Sequence, residues 1–294
     1  MGSSNERERA EANQQSASRA EGRDSQVQIG IQLHTLRDLD ASLPETIRRV
    51  GEAGFDGVEF AGRLEDADLN DINAALSDAD VEAASAHVDR PMLKSDFEGI
   101  VERYLAVSCG RIVIPHLSIE HIVTDKAVRD TADRFARLGA RLADREIQLY
   151  YHNVPHDLRP QFREDRLGAV LGLGPVPEIL GDRATGLLDY VMNVRPSEIT
   201  ERTALGQIYT RTVGRSLRFE MDVGSIAMAG YNPDHVLDLV GNRLDLIHYT
   251  EGADVDATLR AARRNNVPWI IYEDDHPDDP EAALRRGAEA LVES

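Results

Sequence analysis

Four short apolar runs decide the fold of this chain: Leu149-Tyr-Tyr-His152, Phe219-Glu-Met-Asp222, Asp245-Leu-Ile-His248 and Trp269-Ile-Ile-Tyr-Glu273. Each has the length and the β-branched or aromatic content of a buried strand, and each ends in a residue that can bind a metal. A (β/α)₈ barrel keeps its chemistry at the C-terminal ends of its parallel strands. One strand-end Asp or His is often only a hydrogen-bonded polar group, so the signal is the recurrence at four successive strand ends. Two imidazoles and two carboxylates that converge there would form a divalent metal site.

The rest of the chain repeats a strand-then-helix order. Strands are predicted at 27–33, 57–60, 81–87, 111–115, 147–152, 217–222, 244–248 and 267–273. Helices are predicted at 43–53, 69–76, 97–107, 128–142, 233–240, 255–265 and 279–292, with helical character between 186 and 213. Eight such units indicate an α/β protein with one (β/α)₈ TIM-barrel domain over 27–294. The alternative, a doubly wound open sheet, is weakened because no Gly-rich phosphate loop follows an early strand.

Two segments interrupt this order. Residues 1–26 have almost no large apolar side chain and are predicted to be a disordered tail. Residues from 154 to about 184 contain four prolines and four glycines, which indicates a long irregular insertion. Because the insertion begins just after His152, we expect it to cover the catalytic mouth of the barrel.

Composition restricts the classes of protein. The formal net charge is −19, and only Lys94 and Lys126 are lysines among 33 basic residues, a balance typical of proteins from salt-loving microbes. Such a charge argues against a nucleic-acid partner. No apolar run is long enough for a membrane span and no signal peptide is recognisable, so we expect a cytoplasmic protein. The single cysteine, Cys109, excludes an internal disulfide and is interpreted as a buried filler.

Motifs in order along the chain resemble the sugar phosphate isomerase/epimerase family, also called the xylose isomerase-like TIM barrel family. The matching elements are Ile29-Gly-Ile-Gln-Leu-His-Thr-Leu-Arg37, Ala53-Gly-Phe-Asp-Gly-Val-Glu59, Ser85-Ala-His87, Tyr151-His-Asn153, Phe219-Glu-Met-Asp-Val-Gly224, His248 and Tyr272-Glu273. Each is weak alone, and together they cover about residues 27–293. The resemblance supports the barrel and does not identify a substrate.

The resemblance implies a metal cofactor and its ligands. The predicted metal ligands are His152, Asp222, His248 and Glu273. Mixed imidazole and carboxylate ligation suits Mn²⁺, Co²⁺, Zn²⁺ or Fe²⁺ better than Mg²⁺. One subgroup of the family has a second His where this chain has Val154, and a Lys where this chain has Thr250.

The resemblance and the positions of polar residues after the strands together predict a set of catalytic and substrate-binding residues. The predicted catalytic residues are Glu273 as proton carrier, with Glu59 or His87 as second base. The predicted substrate-binding residues are His34, Arg37, His116, Asn153 and Glu251. Two alternatives remain open at this stage: Glu59 as an ion-pair partner of Arg37, and His87 as a packed rim residue.

Three functions fit these residues. The first is a divalent-metal-dependent isomerase or epimerase that acts on a sugar, sugar phosphate or polyol through an enediolate. The second is a keto-sugar lyase or dehydratase on the same metal site, favoured by His152 where family isomerases often have a proton-shuttling Glu. The third is a non-catalytic sugar-binding protein, suggested by Thr250. The expected partner is a small carbohydrate. The sequence does not determine the oligomeric state, and a homo-oligomer is one of the possibilities.

Overall fold

Eight parallel strands close into a barrel in the order β1 to β8 in the computed structural model of the chain. The strands are β1 (Gln28–Gln32), β2 (Gly57–Ala61), β3 (Glu82–His87), β4 (Arg111–Ile114), β5 (Gln148–His152), β6 (Arg218–Asp222), β7 (Leu244–Thr250) and β8 (Trp269–Glu273). The barrel closes because β1 pairs with both β2 and β8. The predicted TIM barrel is confirmed.

The structure describes residues 27–62, 64, 66–158, 203–212, 214 and 216–294. The predicted tail at 1–26 lies outside these residues. So do the predicted insertion from residue 159 onward and the helical character predicted between 186 and 202.

Helices follow most strands and form the outer layer. They are α1 (Leu43–Glu52), α2 (Leu69–Ala79), α3 (Arg90–Ser95), α4 (Phe97–Ala106), α5 (Asp125–Ala143), α6 (Ala204–Arg211), α7 (Val223–Met228), α8 (Pro233–Val240), α9 (Val255–Asn265) and α10 (Pro280–Gly287). Ser42 caps α1 as predicted, since its hydroxyl accepts from the Glu45 amide at 3.4 Å. Within the described residues, no helix combines the length and the apolar character that a membrane crossing requires.

Three helical details differ from prediction. Helices α3 and α7 were not predicted, because six residues are too few to show a helical period. Helix α10 ends at Gly287, and Ala288–Val292 continues as a π-helical turn. Helix α7 matters most, because it begins directly after Asp222 at the end of β6.

The barrel interior has two halves. The half near the N-terminal ends of the strands, here called the lower half, is apolar, and the half near their C-terminal ends, the upper half, is polar. The lower half is a cluster of buried residues: Ala84, Val113, Tyr150, Leu246, Trp269 and Ile271. A Cβ on Gly57 would lie 2.6 Å from the Trp269 ring, so β2 has a glycine where this indole needs space. Because side chains two residues apart point to the same face, Tyr150, Leu246 and Ile271 lie directly below His152, His248 and Glu273. Trp269 is therefore in the core at the lower end, as predicted, and the polar residues meet at the upper end.

Cys109 is fully buried, and burial raises the pKa of its thiol to about 12. The thiol is a small core group, as predicted, and is not a reactive nucleophile.

Candidate metal centre

Three of the four predicted metal ligands form one cluster at the upper end of the barrel. His152 from β5, His248 from β7 and Glu273 from β8 each offer a ligand atom, and these atoms lie within 4.8 Å of one another. The imidazole rings of His152 and His248 have centroids 4.7 Å apart, and His248 Nδ1 lies 2.8 Å from Glu273 Oε2. All three side chains are buried, so the cluster is held in a fixed position by its strands.

His152 has the tautomer of a metal ligand. Its Nδ1 lies 2.9 Å from the Pro115 carbonyl oxygen, which can only accept, so Nδ1 carries the hydrogen. The other ring nitrogen, Nε2, is buried and has no hydrogen-bond partner among the described residues. A backbone carbonyl that fixes one imidazole nitrogen while the other faces a cluster of ligands is the usual arrangement around bound metals. The unpartnered Nε2 shows that this cluster fits a cation.

Asp222 lies beside the cluster, but other contacts already occupy its carboxylate. Oδ1 accepts from the amides of Gly224 and Ser225 at 2.7 and 3.2 Å, and from Thr250 Oγ1 at 3.0 Å. Oδ2 accepts from Ser225 Oγ at 2.7 Å and lies 4.0 Å from His152 Nε2. Asp222 is thus the N-cap of α7, and Oδ2 is the oxygen that faces the predicted metal position. A Cβ on Gly224 would lie 2.7 Å from Thr250 Oγ1, so this turn is tightly packed.

A second cluster lies immediately below the first. It contains Glu59 from β2, His87 from β3, Glu220 from β6 and His248, whose ligand atoms also lie within 4.8 Å of one another. His248 Nε2 is 2.8 Å from Glu59 Oε1, and His87 Nε2 is 2.8 Å from Glu220 Oε2. The His87 and His248 rings are stacked with centroids 5.2 Å apart. His248 therefore has one ring nitrogen in each cluster.

Two neutral side chains fix the position of Glu59. Ser85 Oγ donates to Glu59 Oε2 at 2.6 Å, and Gln32 Nε2 donates to Glu59 Oε1 at 2.7 Å. The predicted alternative, an ion pair between Glu59 and Arg37, does not occur: the Arg37 guanidinium donates to the His34 carbonyl and lies near Asp38.

The electrostatics of the two clusters are dominated by carboxylates. Burial alone would lower the pKa of His248, but Glu220, Glu273 and Glu59 raise this pKa well above its ordinary value. Burial also opposes protonation of His87, but Glu59 and Glu220 raise the pKa of that imidazole. The raised pKa values of both imidazoles thus have the same cause, which is the buried carboxylates around them.

The carboxylates shift in the opposite direction. Burial would raise the pKa of Glu273, but the charge and hydrogen bond of His248 outweigh it and lower the pKa to about 2. Burial likewise opposes ionisation of Glu220, but His248 and then His87 hold its pKa well below the ordinary value. Both carboxylates are therefore ionised at neutral pH.

A cavity of about 680 Å³ opens above the clusters. Its lining includes His87, His152, Asp222 and Glu273, with Gln32, His34, Asp89, His116 and Asp275 around them. Glu59, Glu220 and His248 lie behind this surface and are fully buried. A small molecule in the cavity would contact His152, Glu273 and His87 directly, whereas Glu59 would act through its neighbours.

The predicted substrate-binding residues separate into two groups. His34 and His116 line the cavity. Arg37, Asn153 and Glu251 do not: Asn153 is buried and its Oδ1 accepts from the Asp222 amide at 2.9 Å, and Glu251 forms an ion pair with Arg286. Asn153 therefore positions the backbone of a predicted metal ligand.

The sequence reasoning missed Glu220. It lies two residues before Asp222 on β6, so strand alternation places both side chains on the inner face. The two-residue spacing in Phe219-Glu-Met-Asp222 is a signal that the sequence offers for Glu220, but Glu220 does not lie at the strand end, where ligands are expected.

Comparison with known proteins supports the fold. No protein-family model matches the chain, and no curated protein is significantly similar to it in sequence. Among solved structures, a sugar phosphate isomerase/epimerase from Parabacteroides distasonis ATCC 8503 superposes with a TM-score of 0.68 and 16% identity, over 90% of this chain and 94% of that one. A 3-keto-D-glucoside 4-epimerase from E. coli has a TM-score of 0.65 and 16% identity, over 92% and 100% of the chains.

A third structure, the probable 3-DHS dehydratase of Bacillus anthracis, has a TM-score of 0.64 and 9% identity, over 90% of this chain and 99% of that one. The chain thus has the xylose isomerase-like TIM-barrel fold over most of its length, and these structural neighbours are mostly enzymes.

Proposed function

We propose that the chain is a divalent-metal-dependent isomerase or epimerase of a small carbohydrate. The observation that carries this proposal is the unpartnered Nε2 of His152, which faces His248 and Glu273 at the floor of a cavity. His152, His248 and Glu273 would hold the metal, with Asp222 Oδ2 as the fourth ligand. When bound, such a cation holds vicinal substrate oxygens and acidifies the neighbouring C–H bond. Mn²⁺, Co²⁺, Zn²⁺ and Fe²⁺ suit this mixture of nitrogen and oxygen ligands.

Glu273 and His87 are the proposed proton carriers. Glu273 lines the cavity and its carboxylate is ionised at neutral pH, which is the form that a general base requires. His87 also lines the cavity, and the carboxylates behind it favour its protonated form. A base on β8 and an acid on β3 would approach a bound sugar from different strands, so one could remove a proton from a carbon and the other return a proton to its opposite face, as epimerisation requires. Glu59, which does not reach the cavity, would position His248 through the 2.8 Å contact to Nε2.

The cavity residues are suited to a polyhydroxylated ligand. His34 and His116 lie on its wall with Gln32, and their ring nitrogens and amide can donate to or accept from hydroxyl groups. The solved structures with this fold include a sugar phosphate isomerase/epimerase and a keto-glucoside epimerase, which supports a carbohydrate substrate.

The test combines metal analysis with a substrate panel. Purified protein loaded with Mn²⁺ or Co²⁺ would be incubated in D₂O with aldoses, ketoses and keto-sugars, and deuterium uptake at substrate carbon would be followed by NMR. We expect His152→Asn to abolish uptake, because Asn cannot replace the imidazole nitrogen. The matched control is His156→Asn, since His156 lies outside the cavity lining and contacts the Leu117 carbonyl. Equal uptake in the two variants would refute the proposal.

A keto-sugar lyase or dehydratase is the second candidate. Two observations favour it. His152 occupies the position in which family isomerases often have a second Glu that carries a proton between substrate carbons, and a probable dehydratase has the same fold. In the same NMR assay a lyase gives an unsaturated product, whereas an isomerase or epimerase gives a sugar of unchanged composition.

A further inference from the structure

We infer that the chain has a second divalent-cation site, one layer below the cavity, formed by Glu59, His87, Glu220 and Nε2 of His248. These four residues come from β2, β3, β6 and β7, so they approach one point from four sides of the barrel. The inference goes beyond the proposed function, because it concerns the lower cluster. Its ligands include His248, which is also a proposed ligand of the cavity metal, and His87, which would then act as a metal ligand and not as a proton carrier.

The spacing of the ligand atoms is close to, or slightly shorter than, that around a four-coordinate metal. Bonds of about 2.0–2.1 Å to a tetrahedral cation place neighbouring ligand atoms about 3.3–3.4 Å apart. His87 Nε2 lies 3.2 Å from Glu59 Oε1 and 2.8 Å from Glu220 Oε2. His248 Nε2 lies 2.8 Å from Glu59 Oε1 and 3.3 Å from Glu220 Oε1. A cation at the centre requires only a slight expansion of this set.

The second observation is an unpartnered oxygen. Glu220 is fully buried, and its Oε1 has no hydrogen bond of good geometry among the described residues: it lies 3.3 Å from His248 Nε2, which is closer to Glu59 Oε1 at 2.8 Å. A buried carboxylate oxygen without a hydrogen bond costs free energy, and a bound cation would remove that cost.

The charges of the cluster point in the same direction. Glu59 and Glu220 are both fully buried, and no Lys or Arg of the described residues forms an ion pair with either one. Their ion-pair partners among the described residues are the imidazoles of His87 and His248. A divalent cation would bring two positive charges directly to these two carboxylates.

Three neighbouring side chains hold the cluster in place around this point. Ser85 and Gln32 donate to Glu59, and the Glu273 carboxylate faces the opposite nitrogen of His248 at 2.8 Å. Carboxylate or amide groups that orient ligating residues in this way are typical of the surroundings of protein metal sites.

The test uses the full chain, stripped with a chelator and titrated with Co²⁺ or Zn²⁺. Bound equivalents would be counted by elemental analysis after gel filtration, and the visible absorption of Co²⁺ would report the coordination number. Three variants divide the sites: Glu220→Gln for the lower site, His152→Asn for the cavity site, and Glu102→Gln as the control. Glu102 is an exposed glutamate on α4, so its substitution changes the charge by the same amount without touching either cluster.

We expect Glu220→Gln to weaken binding of one equivalent by more than about 100-fold, since loss of an outer partner alone weakens metal binding about 10–100-fold. His152→Asn should leave the equivalent that depends on Glu220 in place. If Glu220→Gln binds as many equivalents as Glu102→Gln, with the same affinity, the lower site does not exist. If Glu220→Gln fails to fold, His87→Gln replaces it, because His87 lies at the cavity edge where a shorter side chain is easily accommodated.

The same titration separates this inference from the proposed function. If the protein binds one equivalent of metal that is retained in Glu220→Gln and lost in His152→Asn, the cavity site exists and the lower site does not. If that equivalent is lost in Glu220→Gln and retained in His152→Asn, the lower site exists, and the cavity metal on which the proposed function rests does not.

Discussion

Asp222 is predicted to be a metal ligand and is also the N-cap of α7, and substitutions separate these two roles. In metal-free protein, Asp222→Ala removes the cap, which is worth about 1 kcal/mol. It also leaves the hydroxyls of Ser225 and Thr250 without their acceptor, at about 1 kcal/mol each. The total is about 3 kcal/mol of unfolding free energy.

Asp222→Asn keeps the capping oxygen but replaces Oδ2, the oxygen that faces the predicted metal position, by an NH₂ group. The Asn side chain caps helices about as well as Asp, and its oxygen still accepts from the amides of Gly224 and Ser225. We therefore expect metal-free Asp222→Asn to lose less than about 1 kcal/mol, while its metal affinity falls by more than about 10-fold. Urea unfolding of the chelator-treated proteins measures the first quantity, and Co²⁺ titration measures the second.

Asp254→Ala provides a control for the size of a cap effect, because Asp254 caps α9 away from the clusters. It should lose about 1 kcal/mol and keep full metal affinity. If metal-free Asp222→Ala loses no more than Asp254→Ala, the hydroxyl contacts contribute nothing and the structural account of Asp222 is wrong. If Asp222→Asn binds metal like the unmodified protein, Asp222 is not a ligand.

Three further predictions concern stability. Burial raises the pKa of Asp157 in the folded protein above its value in the unfolded chain, so the stability that this carboxyl contributes at low pH is lost as the pH rises through the folded-state pKa. In Asp157→Asn the amide oxygen can still accept from Tyr151 but does not titrate. By urea unfolding, this variant should therefore become more stable relative to the unmodified protein as the pH rises from 3 to 7. An equal difference at both pH values would contradict this. Gly139→Ala should lose about 3 kcal/mol by the same assay, because the added Cβ would lie 1.7 Å from the Ser216 carbonyl oxygen, and unchanged stability would contradict that contact. The net charge of −19 predicts a melting temperature that rises from low salt to molar KCl, and a flat or falling one would count against the halophilic interpretation.

The fold was predictable because the apolar pattern repeats at every strand. Each predicted strand overlaps an observed one, and the helices at 233–240 and 255–265 have the predicted bounds. Short helices were missed, since α7 has only six residues and follows its strand without a loop. The missed helix explains why Asp222 was interpreted only as a ligand: the N-cap role exists only if a helix begins at Val223.

The candidate site was predictable where it depends on strands and less so where it depends on loops. His152, His248 and Glu273 meet because parallel strands end at one rim. By contrast, Arg37 lies in the turn after β1, and no pattern indicates that its guanidinium turns back to the His34 carbonyl. Glu251 similarly pairs with Arg286, a residue distant in sequence.

The polar upper half of the barrel agrees with the proposed function, because packing alone does not require polar residues there. The lower half, with Trp269 and Tyr150 at its centre, demonstrates that apolar side chains can fill this barrel. Glu59 and Glu220 are buried as deeply as Trp269, yet within the described part of the chain their ion-pair partners are histidines. Buried ion pairs are often no more stabilising than apolar residues of similar volume. In this chain the buried carboxylates and histidines lie directly below the cavity, on the same strand faces that carry the apolar core. The sequence therefore departs from an all-apolar interior at the place where the proposed cation and substrate would bind.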